Sequence, residues 1–174
     1  MYLCGVIIAW LSRTRLHPIQ TDLCRRIGPS KRWSYTHLGV TMAIANWSSR
    51  FETGIAIIDT QHKALFQAIN RLSDSFKAGT SGAQSKECLD FLLKYTIEHF
   101  QTEEKFMKEI DYPKLTSHMA EHMQLIRKAE AIQAKLNEGN TVTMDVTLFI
   151  SDWLKHHINE NDMDYVEFWK AKNR

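Results

Sequence analysis

From Asp59 onward, apolar residues recur at steps of three and four, the period of an α-helix that turns one face to a core. Leu65, Phe66, Ile69, Leu72 and Phe76 form the first stripe and predict a helix over about 59–77, with Asp59 as its N-cap. Gly79-Thr80-Ser81-Gly82 interrupts the pattern, and Ser81 with Gln84 three residues later has the capping-box spacing that opens a helix. The second stripe, Leu89, Leu92, Leu93, Thr96, Phe100, Met107 and Ile110, predicts a helix over about 83–110. Asp111-Tyr112-Pro113 closes it and starts the third, because proline suits a first helical turn where its missing N–H is not needed. Over about 113–137, Leu115, His118, His122, Leu125, Ala129, Ile132 and Leu136 repeat as a bundle seam that Gly139-Asn140 ends. Val146, Ile150, Trp153 and Leu154 point a fourth helix, about 143–169, inward. Four helices joined by short loops predict an all-α, antiparallel up-down four-helix bundle.

Such a core needs only about 110 to 120 residues, and the chain has 174. The surplus lies in residues 1–41, which show no sustained period and contain His17-Pro18 and Gly28-Pro29-Ser30. We expect an irregular, basic leader over 1–41 and the bundle domain over 42–174, with Met42 as the biological start. The leader carries six Lys/Arg against Asp22 alone, leaving sixteen against nineteen acids in the remainder. A mildly acidic body offers no electrostatic footprint for a phosphate backbone, so nucleic acid is excluded as a partner. No apolar stretch approaches the roughly 20 residues of a membrane span, and Met1–Leu11 lacks the positive flank of a secretory signal. Cys4, Cys24 and Cys88 fit neither a disulfide framework nor a CxxC knuckle, which points to a reducing cytoplasm. Helix faces rich in Lys and Glu suit a monomer.

The chemistry lies inside the stripes. Each predicted helix places histidine on its apolar face: His62, then His99, then His118 and His122, then His157. A lone histidine there is usually a satisfied core residue; five together are not explained that way, since buried polar groups demand partners. His99 and Glu103 stand at i, i+4, as do His118 and His122, so each pair shares a helix face. Imidazole with carboxylate and no thiolate suits iron or a similar divalent metal and argues against an iron–sulfur cluster. Five histidines and two acids exceed the needs of one ion and fit two, with carboxylates as the bridges. Glu103 is one bridge. On the fourth helix Glu160, Asp162 and Asp164 lie at i+3, i+5 and i+7 from His157, and spacing does not choose among them. On an ideal helix i+5 points away from i, although a π-turn would bring it back.

These residues resemble the hemerythrin family, specifically its single-domain bacteriohemerythrins, over about residues 45–170. The likeness rests on Trp47, Phe51-Glu52-Thr53-Gly54-Ile55 and Ile58-Asp59-Thr60-Gln61-His62. It continues in His99-Phe100-Gln101-Thr102-Glu103-Glu104, Met107, Tyr112-Pro113, the His118/His122 pair, and Trp153-Leu154-Lys155-His156-His157-Ile158 with Asp162. The resemblance implies one iron held by His118, His122 and His157, a second by His62 and His99, and Glu103 and Asp162 bridging both. It thereby selects Asp162 over its neighbours and leaves His156 off the ligand face. It further implies an oxo- or hydroxo-bridged non-haem di-iron centre whose two-histidine iron keeps one position open for dioxygen. Leu65, Phe100, Trp153 and Leu154, a turn or less from ligands, are expected to form a dry wall over that position. The function implied is reversible oxygen binding for storage, delivery or sensing, with an oxygen-consuming enzyme as a partner and no catalysis of its own. The rival readings are a di-iron oxidase, peroxidase or nitric oxide reductase, and an iron-homeostasis protein. Carboxylate-rich di-iron enzymes use ExxH motifs, and none is present here.

Overall fold

A computed structural model describes residues 43–78, 82–138 and 144–173. The leader, the Ser81 capping box and Gly139-Asn140 lie outside the described residues. A short 3₁₀ turn, Ser49–Phe51, precedes α1 (Ala56–Lys77), α2 (Gly82–Glu109), α3 (Leu115–Asn137) and α4 (Met144–His157). After α4 comes a π-helical turn, Ile158–Asp162, which passes directly into α5 (Met163–Lys172). His157, Asp162 and Met163 all keep right-handed helical backbone angles, so α4, the π-turn and α5 form one continuous rod with a shifted register. The fold is therefore a bundle of four rods, with α1 packed on α2 and α4, and α2 packed on α3. No described helix is long and apolar enough to cross a membrane.

Two helix starts differ from the sequence expectation. α1 begins three residues earlier than Asp59, with Ile55 at the cap position. Asp59 instead reaches back from the first turn: its Oδ1 accepts from the Thr53 amide and hydroxyl, both at 2.8 Å, and its Oδ2 from the Gly54 amide at 3.1 Å. The carboxylate thus ties the incoming loop to the positive end of the helix dipole. α3 begins at Leu115 and not at Pro113. The reason is the way α2 stops. Asp111 adopts φ 56°, and the amides of Asp111 and Tyr112 bond back to the carbonyls of Lys108 (3.2 Å) and Met107 (2.9 Å). This is a Schellman motif with aspartate where glycine is usual; it carries the chain out of the helix as far as Tyr112, and helical structure resumes only at Leu115.

The core comes in two apolar layers. Leu65, Phe66, Ile69, Leu72, Leu89, Leu92 and Leu154 belong to one, and Ile58, Met107, Tyr112, Tyr165 and Val166 to the other. Along α1 the chain passes from Ile58 through His62 to Leu65, and along α2 from Leu92 through His99 and Glu103 to Met107. Each rod crosses from one layer to the other through a polar step. The layers exclude water from whatever lies between them, and the polar residues lie there.

Candidate metal centre

His62, His99, Glu103, His118, His122, His157 and Asp162 are all buried, none more than 4% exposed. α1 contributes His62, α2 His99 and Glu103, α3 His118 and His122, α4 His157, and the π-turn Asp162. The π-turn is what admits Asp162. Its extra residue per turn returns i+5 to the face of His157, and Asp162 Oδ1 lies 3.2 Å from His157 Nε2. Glu160, one alternative left open by spacing, faces outward beside the exposed His156. Asp164, the other, pairs with Lys114 at 2.8 Å on the surface.

The side chains sort into two groups that share Glu103: Glu103 with His118, His122 and His157, and Glu103 with His62 and His99. Within each group the donor atoms lie within 4.8 Å of one another. Both carboxylates straddle the division. Glu103 Oε2 faces His99 (3.5 Å) and His122 (3.3 Å), and its Oε1 faces His62 (3.5 Å). Asp162 Oδ1 faces His118 (3.4 Å) and His157, while its Oδ2 faces His62 (3.3 Å). Asp162, with one oxygen toward each group, is placed as a bridge is placed, and Glu103 reaches both groups by sharing Oε2 between His99 and His122.

The hydrogen-bond inventory tests whether a metal pair fits. Among the described residues, eight buried side-chain nitrogens and oxygens lack a hydrogen-bond partner, and seven belong to this cluster. They are both nitrogens of His62, Nε2 of His99 and His118, Oε2 of Glu103, and both oxygens of Asp162. Each orphan of this kind costs about 1–3 kcal/mol unless something satisfies it. Six of the seven, the imidazole Nε2 atoms and the carboxylate oxygens, make the donor set that divalent iron takes, so two cations fit.

The family model of the hemerythrin HHE cation binding domain matches residues 53–169. The chain belongs to the hemerythrin family. It is 35% identical to a bacteriohemerythrin of Methylococcus capsulatus over 126 residues, which covers 71% of this chain and 95% of that protein. It is 32% identical to a bacteriohemerythrin of Pseudomonas aeruginosa over 126 residues, 72% of this chain and 82% of the relative. A crystal structure of wild-type hemerythrin superposes with a TM-score of 0.68 at 34% identity, covering 72% of this chain and 97% of that one.

The electrostatics of this hemerythrin-family cluster are set by burial and by the charges its own members place beside one another. Burial opposes charge on His62, but Asp162 and Glu103 beside it outweigh burial and hold it up at about 9. Burial likewise opposes charge on His122, where Glu103 and Glu104 raise it to about 9. Burial dominates elsewhere, pushing His99 down to about 3, His118 to about 4 and His157 well below its ordinary range. Burial together with the neighbouring Glu103 charge pushes Asp162 up to about 7. Burial also works against the Glu103 charge, yet His99, His122 and His62 hold its carboxyl well below the usual range. The neighbouring carboxylates thus favour a proton on His62 and on His122.

The four wall residues meet along one apolar cavity, with Leu65, Phe100, Trp153 and Leu154 joined by Ile69, Leu92, Thr96, Leu125 and Ile150. The aromatic members favour the three-histidine side: Phe100 stacks on His122 with ring centroids 3.6 Å apart, and Trp153 on His157 at 4.4 Å. The aromatic neighbour of His62 is Trp47, at 6.3 Å. Several contacts escaped the sequence reading. The buried Tyr165 hydroxyl donates to Glu103 Oε1 at 2.9 Å, a bond that its position three residues after Asp162 could have suggested. Gln61, Glu104, Asn161 and Glu121 meet the outer ring nitrogens of three histidines. Gln61 and Glu104 adjoin cluster residues in sequence, but nothing in the helical period marks either as a partner.

Proposed function

We propose that this protein binds dioxygen reversibly at a non-haem di-iron centre, serving oxygen storage, delivery or sensing. The observation that carries the reading is the unequal division of five histidines about two shared carboxylates. His118, His122 and His157 would hold one iron, His62 and His99 the other, and Glu103 and Asp162 would reach both. When bound, the ferrous pair supplies the two electrons that dioxygen binding draws on and returns. The protein's part is to protect that exchange. Leu65, Leu154, Phe100 and Trp153 exclude water and the protons it would deliver, while Tyr165 occupies one lone pair of Glu103 and keeps that carboxylate from turning.

The same donor set supports binding over catalysis. Neutral imidazoles outnumber carboxylates five to two, and fewer anionic donors disfavour the high-valent iron that oxidases and peroxidases require. We further propose that the protein works in the cytoplasm as a monomer and passes oxygen to an oxygen-consuming enzyme. Free Cys88 and the charged outer helix faces support this. The test is anaerobic reduction of the iron-loaded protein followed by repeated cycles of air and vacuum. A visible charge-transfer band that comes with oxygen and leaves without it is expected. Irreversible bleaching, or steady consumption of oxygen or peroxide with a reductant, would overturn the assignment in favour of an enzyme.

A further inference from the structure

An imidazole that offers its inner Nε2 to a cation must carry its proton on the outer Nδ1, and that N–H needs an acceptor. What accepts differs between the two halves of the cluster. On the two-histidine half, His99 Nδ1 meets Gln61 Oε1 at 3.3 Å. The orientation of that amide is determined, because the Thr102 hydroxyl spends its proton on the Glu98 carbonyl (3.0 Å) and can only accept from Gln61 Nε2 (3.0 Å). The partner of His99 is therefore a neutral carbonyl. His62 Nδ1, on the same half, has no hydrogen-bond partner among the described residues.

On the three-histidine half one outer nitrogen meets a charged partner at hydrogen-bond distance. His122 Nδ1 lies 3.0 Å from Glu104 Oε1, and Phe100 stacked on the ring pins its plane. His157 Nδ1 has the neutral Asn161 amide at 3.2 Å, and Glu121 Oε2, to which the same amide donates, stands farther off at 3.6 Å. A carboxylate on Nδ1–H makes the opposite nitrogen a stronger donor than an amide carbonyl does.

Resting on the ligand set proposed above, we propose that Glu104 and Gln61 are positioning residues that make the two iron sites unequal. Glu104 makes the three-histidine site the tighter and more easily oxidised. Gln61 keeps the two-histidine site the weaker and more exchangeable.

The experiment loads the full chain with ferrous iron under argon to two per chain and challenges it with excess ferrous chelator. Release should be biphasic, one iron in each phase. Glu104→Gln keeps the size and an acceptor but removes the charge; it should speed the slow phase about 10- to 100-fold and raise the ferric/ferrous midpoint potential. Gln61→Glu should slow the fast phase by a similar factor. It also carries the test should Glu104→Gln lose its helical circular dichroism. Wild-type release rates and potential in folded Glu104→Gln, or an unmoved fast phase in Gln61→Glu, would overturn the proposal while leaving the ligand set standing. Fewer than two irons on the wild-type chain would instead overturn the ligand set and the proposal with it.

Discussion

Loading the protein with iron should expel protons, because the cluster's carboxylates favour a proton on His62 and on His122. At pH 7, His62 and His122, both held at about 9, are protonated, while Asp162, at about 7, is half protonated. His99 (about 3), His118 (about 4) and His157 (well below its ordinary range) are already neutral, and Glu103 is already ionised. A cation needs every donor deprotonated, so between two and three protons leave per chain. Any proton lost from a bridging water adds to this, which makes two the floor. The sign follows: acid competes with the metal, and each unit of pH below about 9 weakens loading of the pair by about 100-fold or more. Calorimetric titration of ferrous iron under argon, repeated in buffers of different ionisation enthalpy at pH 7, reads the count from the slope. One proton or none would refute the claim that the carboxylates hold His62 and His122 protonated at this pH.

Three substitutions probe other parts of the molecule. His118→Ala removes a ligand of the three-histidine group and should lower iron content below two per chain; a variant retaining two irons by metal analysis would sink its assignment. Leu154→Ala should cost about 2–5 kcal/mol by emptying part of the apolar wall, and should hasten autoxidation by admitting water. An unchanged lifetime of the oxygenated form, followed by its absorption, would count against the dry wall. Asp59→Ala strips the acceptor from the Thr53 and Gly54 amides and should cost about 1–2 kcal/mol in denaturant unfolding, with no change in metal uptake.

The helical period by itself determined that four stripes pack into a bundle and that His62, His99, Glu103, His118, His122 and His157 point into it. Those relations are local. Residues three or four apart share a face whatever the helix packs against, so the pattern survives in the sequence. Helix starts were less legible: Asp59 and Pro113 have the chemistry of first-turn residues, yet Ile55 and a Schellman turn at Asp111 displaced both boundaries. Asp162 was beyond the period altogether, since its place depends on a π-turn that breaks the rule, and only the family resemblance singled it out. Tertiary structure alone decided which oxygen of each carboxylate faces which histidine group, and that Glu104 meets His122 while Gln61 meets His99. These contacts depend on the rotation of one rod against another, set by packing across the bundle, and no spacing within a single helix encodes that rotation.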